Sequence, residues 1–170
     1  MKKLLYFLII FLLGILFYEM YCRYHFTNVK NDFIEMNEEN DLKAFRGYDF
    51  TFRGCNRNGD YVVSVNMNNS NYYIIKCDKT GQLINKVDSL RGKINQDSLK
   101  QLLPAFMSMN ISRLRVDYIG NVLIYIDDYE KETLVRFFND YEKKVFINKV
   151  GFKFWNEHYD SLSGLWFEYK

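Results

Sequence analysis

The chain has 170 residues, 23 of them basic and 21 acidic, with 18% aromatic side chains and one proline. That length suits one domain with a real core. The near-even charge shows no basic stripe of the kind that tracks a phosphate backbone, which argues against nucleic acid as a partner. The many Asn, Lys, Ile, Tyr and Phe residues suggest an AT-rich coding sequence, most simply a bacterial one.

The first element is an uncharged run from Leu4 to Phe17 behind Lys2 and Lys3. A bilayer needs about 20 helical residues. Leu4 to Cys22 reaches nearly that length, with Glu19 near the headgroups and Lys2, Lys3 and Arg23 snorkelling outward. A removable signal peptide has similar charged and apolar regions but ends in small residues. Tyr18 to Phe26 offers no small pair, and Tyr21 and Glu19 are poor substitutes for a lipidation box before Cys22. An uncleaved signal anchor over residues 1–23 is therefore expected, in preference to secretion after cleavage. The two lysines place the N-terminus in the cytoplasm and the rest of the chain outside it. Of the charged residues, Lys2, Lys3, Arg23 and Glu19 belong to this stretch, so the remainder is formally neutral.

Residues 24–46 read as a tether and then a weak helix from Asp32 to Phe45, with Phe33, Ile34, Leu42 and Phe45 as its apolar contacts. From there to residue 170 the pattern predicts an α+β domain that is mainly antiparallel β. Phe50 and Phe52 alternate with Thr51 and Arg53 ahead of Asn58-Gly59, a strong two-residue hairpin signal. With that loop, Cys55 falls opposite Val62 and Phe52 opposite Val65. Phe50, Phe52, Val63, Val65 and Met67 then share one face, and Thr51, Arg53, Ser64 and Asn66 the other. Strands at Tyr72 to Cys77 and Gln82 to Val87 complete a meander over residues 48–87.

Leu99, Leu102, Leu103 and Phe106 fall at the spacing of one helical face. Pro104 predicts a kink there or a start later than Asp97. A second meander follows over residues 112–150, with strands at Arg113 to Tyr118, Val122 to Ile126, Lys131 to Phe138 and Lys144 to Val150. Ile84-Asn85-Lys86-Val87 recurs as Ile147-Asn148-Lys149-Val150, and turn glycine Gly59 as Gly120. The two meanders therefore read as tandem helix-plus-four-strand units. Gly151 to Lys170 reads as two more strands.

Candidate chemistry is sparse. Cys55 and Cys77 flank one strand, about 9 to 10 Å apart at two strand spacings, beyond the about 7 Å a disulfide tolerates; free, partly buried thiols are expected. Cys22 is read as an interfacial apolar residue. His25 and His158 make no metal set. Asp127, Asp128, Glu130 and Glu132 read as a solvated turn without calcium-loop spacing, and Asp78-Lys79-Thr80-Gly81 as a turn with a left-handed glycine, not a nucleotide loop. Nothing pairs His158 with Ser161 or Ser163 as a nucleophile, so no enzyme, metal or cofactor is expected.

The aromatic excess points to an interaction surface, with Tyr61, Tyr73, Trp155 and Trp166 as its candidates and a protein or envelope component as partner. Tyr72 and Tyr73 point to opposite faces, so one of them should be outside. The alternative is a small envelope hydrolase or ligand carrier with a pocket between helix and sheet.

Overall fold

A computed structural model describes residues 10–17, 33–35, 42–67, 71–84, 96–126 and 133–170. The chain divides into two compact units, Met1–Glu39 and Asn40–Lys170. In the first, residues 10–17 and 33–35 are helical. Among the described residues no helix is long and apolar enough to cross a membrane. Leu4 and Cys22, the ends of the expected span, lie outside the described residues, while Phe17 closes the described helical stretch.

The second unit is built on eight strands: β1 Tyr48–Cys55, β2 Tyr61–Met67, β3 Asn71–Cys77, β4 Arg113–Val116, β5 Val122–Tyr125, β6 Thr133–Arg136, β7 Tyr159–Ser161 and β8 Trp166–Tyr169. They form one antiparallel sheet in the order β3-β2-β1-β4-β5-β6-β8-β7. The helices are α1 Gln96–Ser108, α2 Asp140–Val150 and α3 Phe152–His158. Two three-strand meanders, joined side by side through β1 and β4, thus form one continuous α+β sheet.

One face carries Phe50, Val63, Val65, Ile75, Leu114, Val116, Val122, Ile124 and Leu134, paired in register across six strands and all buried. The buried stripe of α1, Leu99, Leu102, Leu103 and Phe106, covers it, with the Phe106 ring 5.4 Å from Phe50. Helix α1 starts at Gln96 and continues through Pro104, so the later start expected from the proline is not found. On the opposite face α2 and α3 cover the C-terminal end. There Val135, Phe137, Trp155 and Phe167 form a second core with Phe146, Ile147 and Val150 of α2 packed on it.

Several expectations are corrected. Lys144 to Val150 is helix, not strand. Its start is fixed by Asn139, whose Oδ1 accepts from the Glu142 amide, and Asp140 and Glu142 in the first turn suit the positive end of the helix dipole. Phe152 to Trp155 is likewise helical, because Trp155 stacks on Tyr159 and Phe154 on His158 one turn apart. Each meander therefore has three strands. Gln82 to Val87 contributes one bridge, Leu83 to Cys77, with residues 85–87 outside the described residues. Lys43–Phe45 is a single 3-10 turn entered from Leu42 at φ 47°, so the helix expected over Asp32 to Phe45 does not run through Leu42.

The β1–β2 register also differs. Phe50 lies opposite Val65 and Phe52 opposite Val63, and after an irregularity Cys55 pairs with Tyr61. The loop is five residues rather than two. Asn56 Oδ1 accepts from the amides of Asn58 and Asp60, and Asp60 Oδ2 accepts from Asn56 Nδ2. A shift of two residues preserves faces, so the expected sorting of side chains survives.

Candidate functional site

Three of the four aromatics expected at the surface are in the core: Tyr73 is 8% exposed, Trp155 7% and Trp166 2%. Tyr73 pairs with Val65 on the face beneath α1. Trp155 stacks on Tyr159 at 4.5 Å and meets Phe167 edge-on at 4.9 Å. Trp166 lies under the Arg136 guanidinium. Tyr61 is half-buried, its ring 5.6 Å from Phe52. These four residues do not come together, and only Tyr61 retains surface. Tyr72 is the exposed member of its pair.

Of the exposed aromatics, Tyr72 lies on β3 and Phe152 and Phe154 on α3, while a further group lies where the β4–β5 loop meets the start of α2. Tyr118 and Ile119 occupy the loop tip, with Phe138, Tyr141 and Val145 alongside on and before the helix, all exposed. Asp117 shapes the loop. Its Oδ1 accepts from the amides of Gly120 and Asn121 at 2.7 and 2.8 Å, and its Oδ2 from Asn121 Nδ2. Asn121 Oδ1 then accepts from the Phe138 amide at 2.9 Å, tying the loop to the helix entry. Gly120 sits at φ 112°, where side chains are rarely tolerated, and a Cβ there would press on the Arg46 and Phe138 side chains at 3.0 Å. The Arg46 guanidinium lies 5.2 Å over the Phe138 ring.

This cluster borders a groove of about 420 Å³ between α2 and the sheet, floored by Leu123 and Val135 and walled by Val145 and Phe146, with Arg115, Glu142 and Lys149 among its charged lining. Composition alone did not separate this cluster from the core aromatics. The signal that could have was Asn139 followed three residues later by Glu142, a helix start that sets the exposed faces of Tyr141 and Val145.

The uncovered face over β3, β2, β1 and β4 is polar. It holds a hollow of about 430 Å³ lined by Asp49, Thr51, Arg53, Ser64, Asn66, Tyr72, Arg113 and Tyr125, among others. Arg113 grips Asp49 through Nε and Nη2 at 2.9 and 2.7 Å, and Arg53 Nε donates to Ser64 Oγ.

Cys55 and Cys77 are both free thiols, as the spacing across β2 predicts, but neither is partly buried: Cys55 is exposed and Cys77 fully buried. Burial, with the Asp78 charge adding to it, pushes the Cys77 thiol up to about 11. The Asp78 carboxylate accepts from the hydroxyl and amide of Thr80 and the amide of Gln82, which hold it below the usual carboxylate range. It closes a tight turn with Gly81 at φ 82°. His158 stacks on Phe154 at 4.1 Å, with Nδ1 3.0 Å from that residue's carbonyl oxygen. No three His, Cys, Asp or Glu side chains converge as a metal set among the described residues. His25 and residues 127–132 lie outside them.

The chain matches no protein-family model, and comparison with curated proteins and with solved structures finds no match.

Proposed function

We propose that this is a membrane-anchored, non-catalytic interaction domain held outside the cytoplasm, which binds a protein or envelope component through the aromatic end of its sheet. The observation that carries the reading is the exposed group Tyr118, Ile119, Phe138, Tyr141 and Val145 beside an apolar groove. Exposed apolar groups gathered next to a pocket are how hot spots are built, a partner's side chain filling the pocket while the rim excludes water. The anchor is supported by residues 10–17, a helical stretch whose Ile, Phe and Leu side chains are all exposed. A helix apolar all round has to be buried in something other than water. Lys2 and Lys3 orient it.

The test is site-directed photo-crosslinking in the intact cell, with the full-length chain carrying a photoreactive residue at position 141 or, as control, at Asn156 on the exposed side of α3. A discrete adduct at 141, absent at 156 and abolished by Val145→Asp, is the expected result. Equal labelling at both positions, or none at 141, sinks the reading.

The groove itself favours a second reading, a ligand carrier. It is concave and mostly apolar with charge in its lining, as small-molecule sites are. A small amphiphile retained through purification and displaced by Val145→Trp would turn the assignment that way.

A further inference from the structure

The polar hollow lies over β3, β2, β1 and β4, on a part of the face that none of α1, α2 and α3 covers. Register sets three arginines on it: Arg113 opposite Thr51, Arg115 opposite Asp49, and Arg53 two residues beyond Thr51. Asp49 is the one carboxylate lining the hollow, and Arg113 takes it in a two-point fork. Arg53 contacts a serine hydroxyl, Arg115 is exposed, and neither forms an ion pair among the described residues. Two guanidinium groups are thus left over. Arg53 lies four positions beyond Asp49, the residue opposite Arg115, so the two arginines start about 13 Å apart along the strands.

Between them the surface is set for hydroxyl groups. Asn66 Oδ1 is buried without a hydrogen-bond partner, an arrangement that costs free energy until a donor reaches it. Thr51 lies beside it in the same lining. Tyr72 presents an exposed ring at one wall, and Tyr125 lies at the other beneath Arg113 at 5.3 Å. A smaller hollow of about 120 Å³, with Asp49, Asn66, Arg115 and Asp117 in its lining, adjoins the first; both oxygens of the Asp117 carboxylate are taken by Gly120 and Asn121 rather than by Arg115. The site is elongated, so a compact ion would meet only one of its two free cations.

We propose that this face binds an acidic oligosaccharide, its carboxylates met by Arg53 and Arg115, its hydroxyls by Asn66 and Thr51, and a sugar ring laid on Tyr72. Arginine forks match carboxylates in two-point geometry, and aromatic rings flanking polar groups suit the mixed faces of a sugar. Arg115 also lines the groove beside the aromatic end, whereas Arg53, Thr51, Asn66 and Tyr72 line this hollow and not that groove, so the Arg53 readout is separate from the partner proposed there.

Titration calorimetry of the full-length protein in nanodiscs tests this with four probes: a galacturonate tetrasaccharide, a neutral glucose tetrasaccharide, tetraglutamate and inorganic phosphate. The expected result is binding of the galacturonate tetrasaccharide alone, weakened about tenfold by Arg53→Gln and again by Arg115→Gln, the loss of one charge-assisted contact each. Lys153→Gln, on the exposed side of α3, leaves it unchanged. Unfolding midpoints equal to wild type show that the arginine variants remain folded. Four results overturn the proposal: no binding of the uronate, equal binding of the neutral sugar, binding of tetraglutamate or phosphate as tight as the uronate, or affinity indifferent to both arginines.

Discussion

Asp49 is held by Arg113, although Arg115 is the residue directly across from it between β1 and β4. The fork runs diagonally, with Arg113 27% and Asp49 15% exposed at the side chain. Such partial burial makes the pair worth more than a surface ion pair but less than a dry one. Asp49→Ala strips the carboxylate from a half-buried guanidinium and should lower stability by about 1–2 kcal/mol. Arg115→Ala, which breaks no ion pair among the described residues, should stay within about 0.5 kcal/mol of wild type. Urea unfolding followed by tryptophan fluorescence checks both. Equal midpoints for the two variants would show that the fork contributes nothing.

Gly59 and Gly81 share nearly the same backbone, φ 83° and 82°, in five-residue turns of the same design. Their surroundings differ. A Cβ at Gly59 meets nothing, whereas at Gly81 it would lie 2.6 Å from the Pro104 nitrogen and 2.7 Å from the Leu103 carbonyl oxygen. Gly59→Ala should therefore cost only the left-handed penalty, about 1–2 kcal/mol. Gly81→Ala adds a clash with helix backbone that cannot rotate away, so about 3 kcal/mol or more is expected. Thermal unfolding of the two variants gives the order directly. If Gly59→Ala is the worse, the turn after β3 does not seat against α1.

That contact shows what was legible in the sequence and what was not. The apolar stripe of α1, the turn glycines and the two faces of β1 and β2 all follow from periodicity, which each segment carries within itself. The β1–β2 register failed because Asn56 bonds inside its own loop, turning an apparent two-residue hairpin into a five-residue one. Val145, Ile147, Phe152 and Phe154 alternate as strand residues do, which masks the helices α2 and α3 in the sequence. Asn139 and the one-turn stacking of Trp155 on Tyr159 decide otherwise. The surface aromatics were missed for the same reason: once those segments become helices on the second sheet face, Trp155 turns inward and Tyr141 outward.

The two thiols Cys55 and Cys77 should behave oppositely. Burial raises Cys77 to about 11 from an ordinary value of 9.0, so at pH 8 only about one molecule in a thousand carries the thiolate. In a Cys22→Ser background, an aromatic disulfide reagent should label exposed Cys55 promptly and Cys77 only on unfolding. The sign for stability follows. The folded value is raised, so the contribution of Cys77 is full below pH 9 and is lost as the pH rises through about 11. Cys77→Val should flatten that alkaline loss. Prompt labelling of both thiols in the folded protein would place Cys77 outside the core.

Trp155 and Tyr141 make the closing comparison, one aromatic inside and one out. Trp155 stacks on Tyr159 and touches Phe137, Phe146 and Phe167 within the second core. Trp155→Ala should cost about 3–5 kcal/mol, because rings on several sides cannot collapse into the space. It should also act on Tyr159, whose hydroxyl burial raises above its ordinary value, with the charges of Tyr169 and Tyr125 adding to it. With Trp155 gone, water reaches Tyr159 and its spectrophotometric titration should move down toward that of a free tyrosine. Tyr141 is 70% exposed, and Tyr141→Ala should leave both stability and the Tyr159 titration unchanged. It should instead remove the crosslink that a photoreactive residue at Val145 forms with the partner. A core tryptophan moves the first pair of readouts and a surface tyrosine only the last. A Tyr141→Ala variant that unfolds early while keeping that crosslink would reverse their roles.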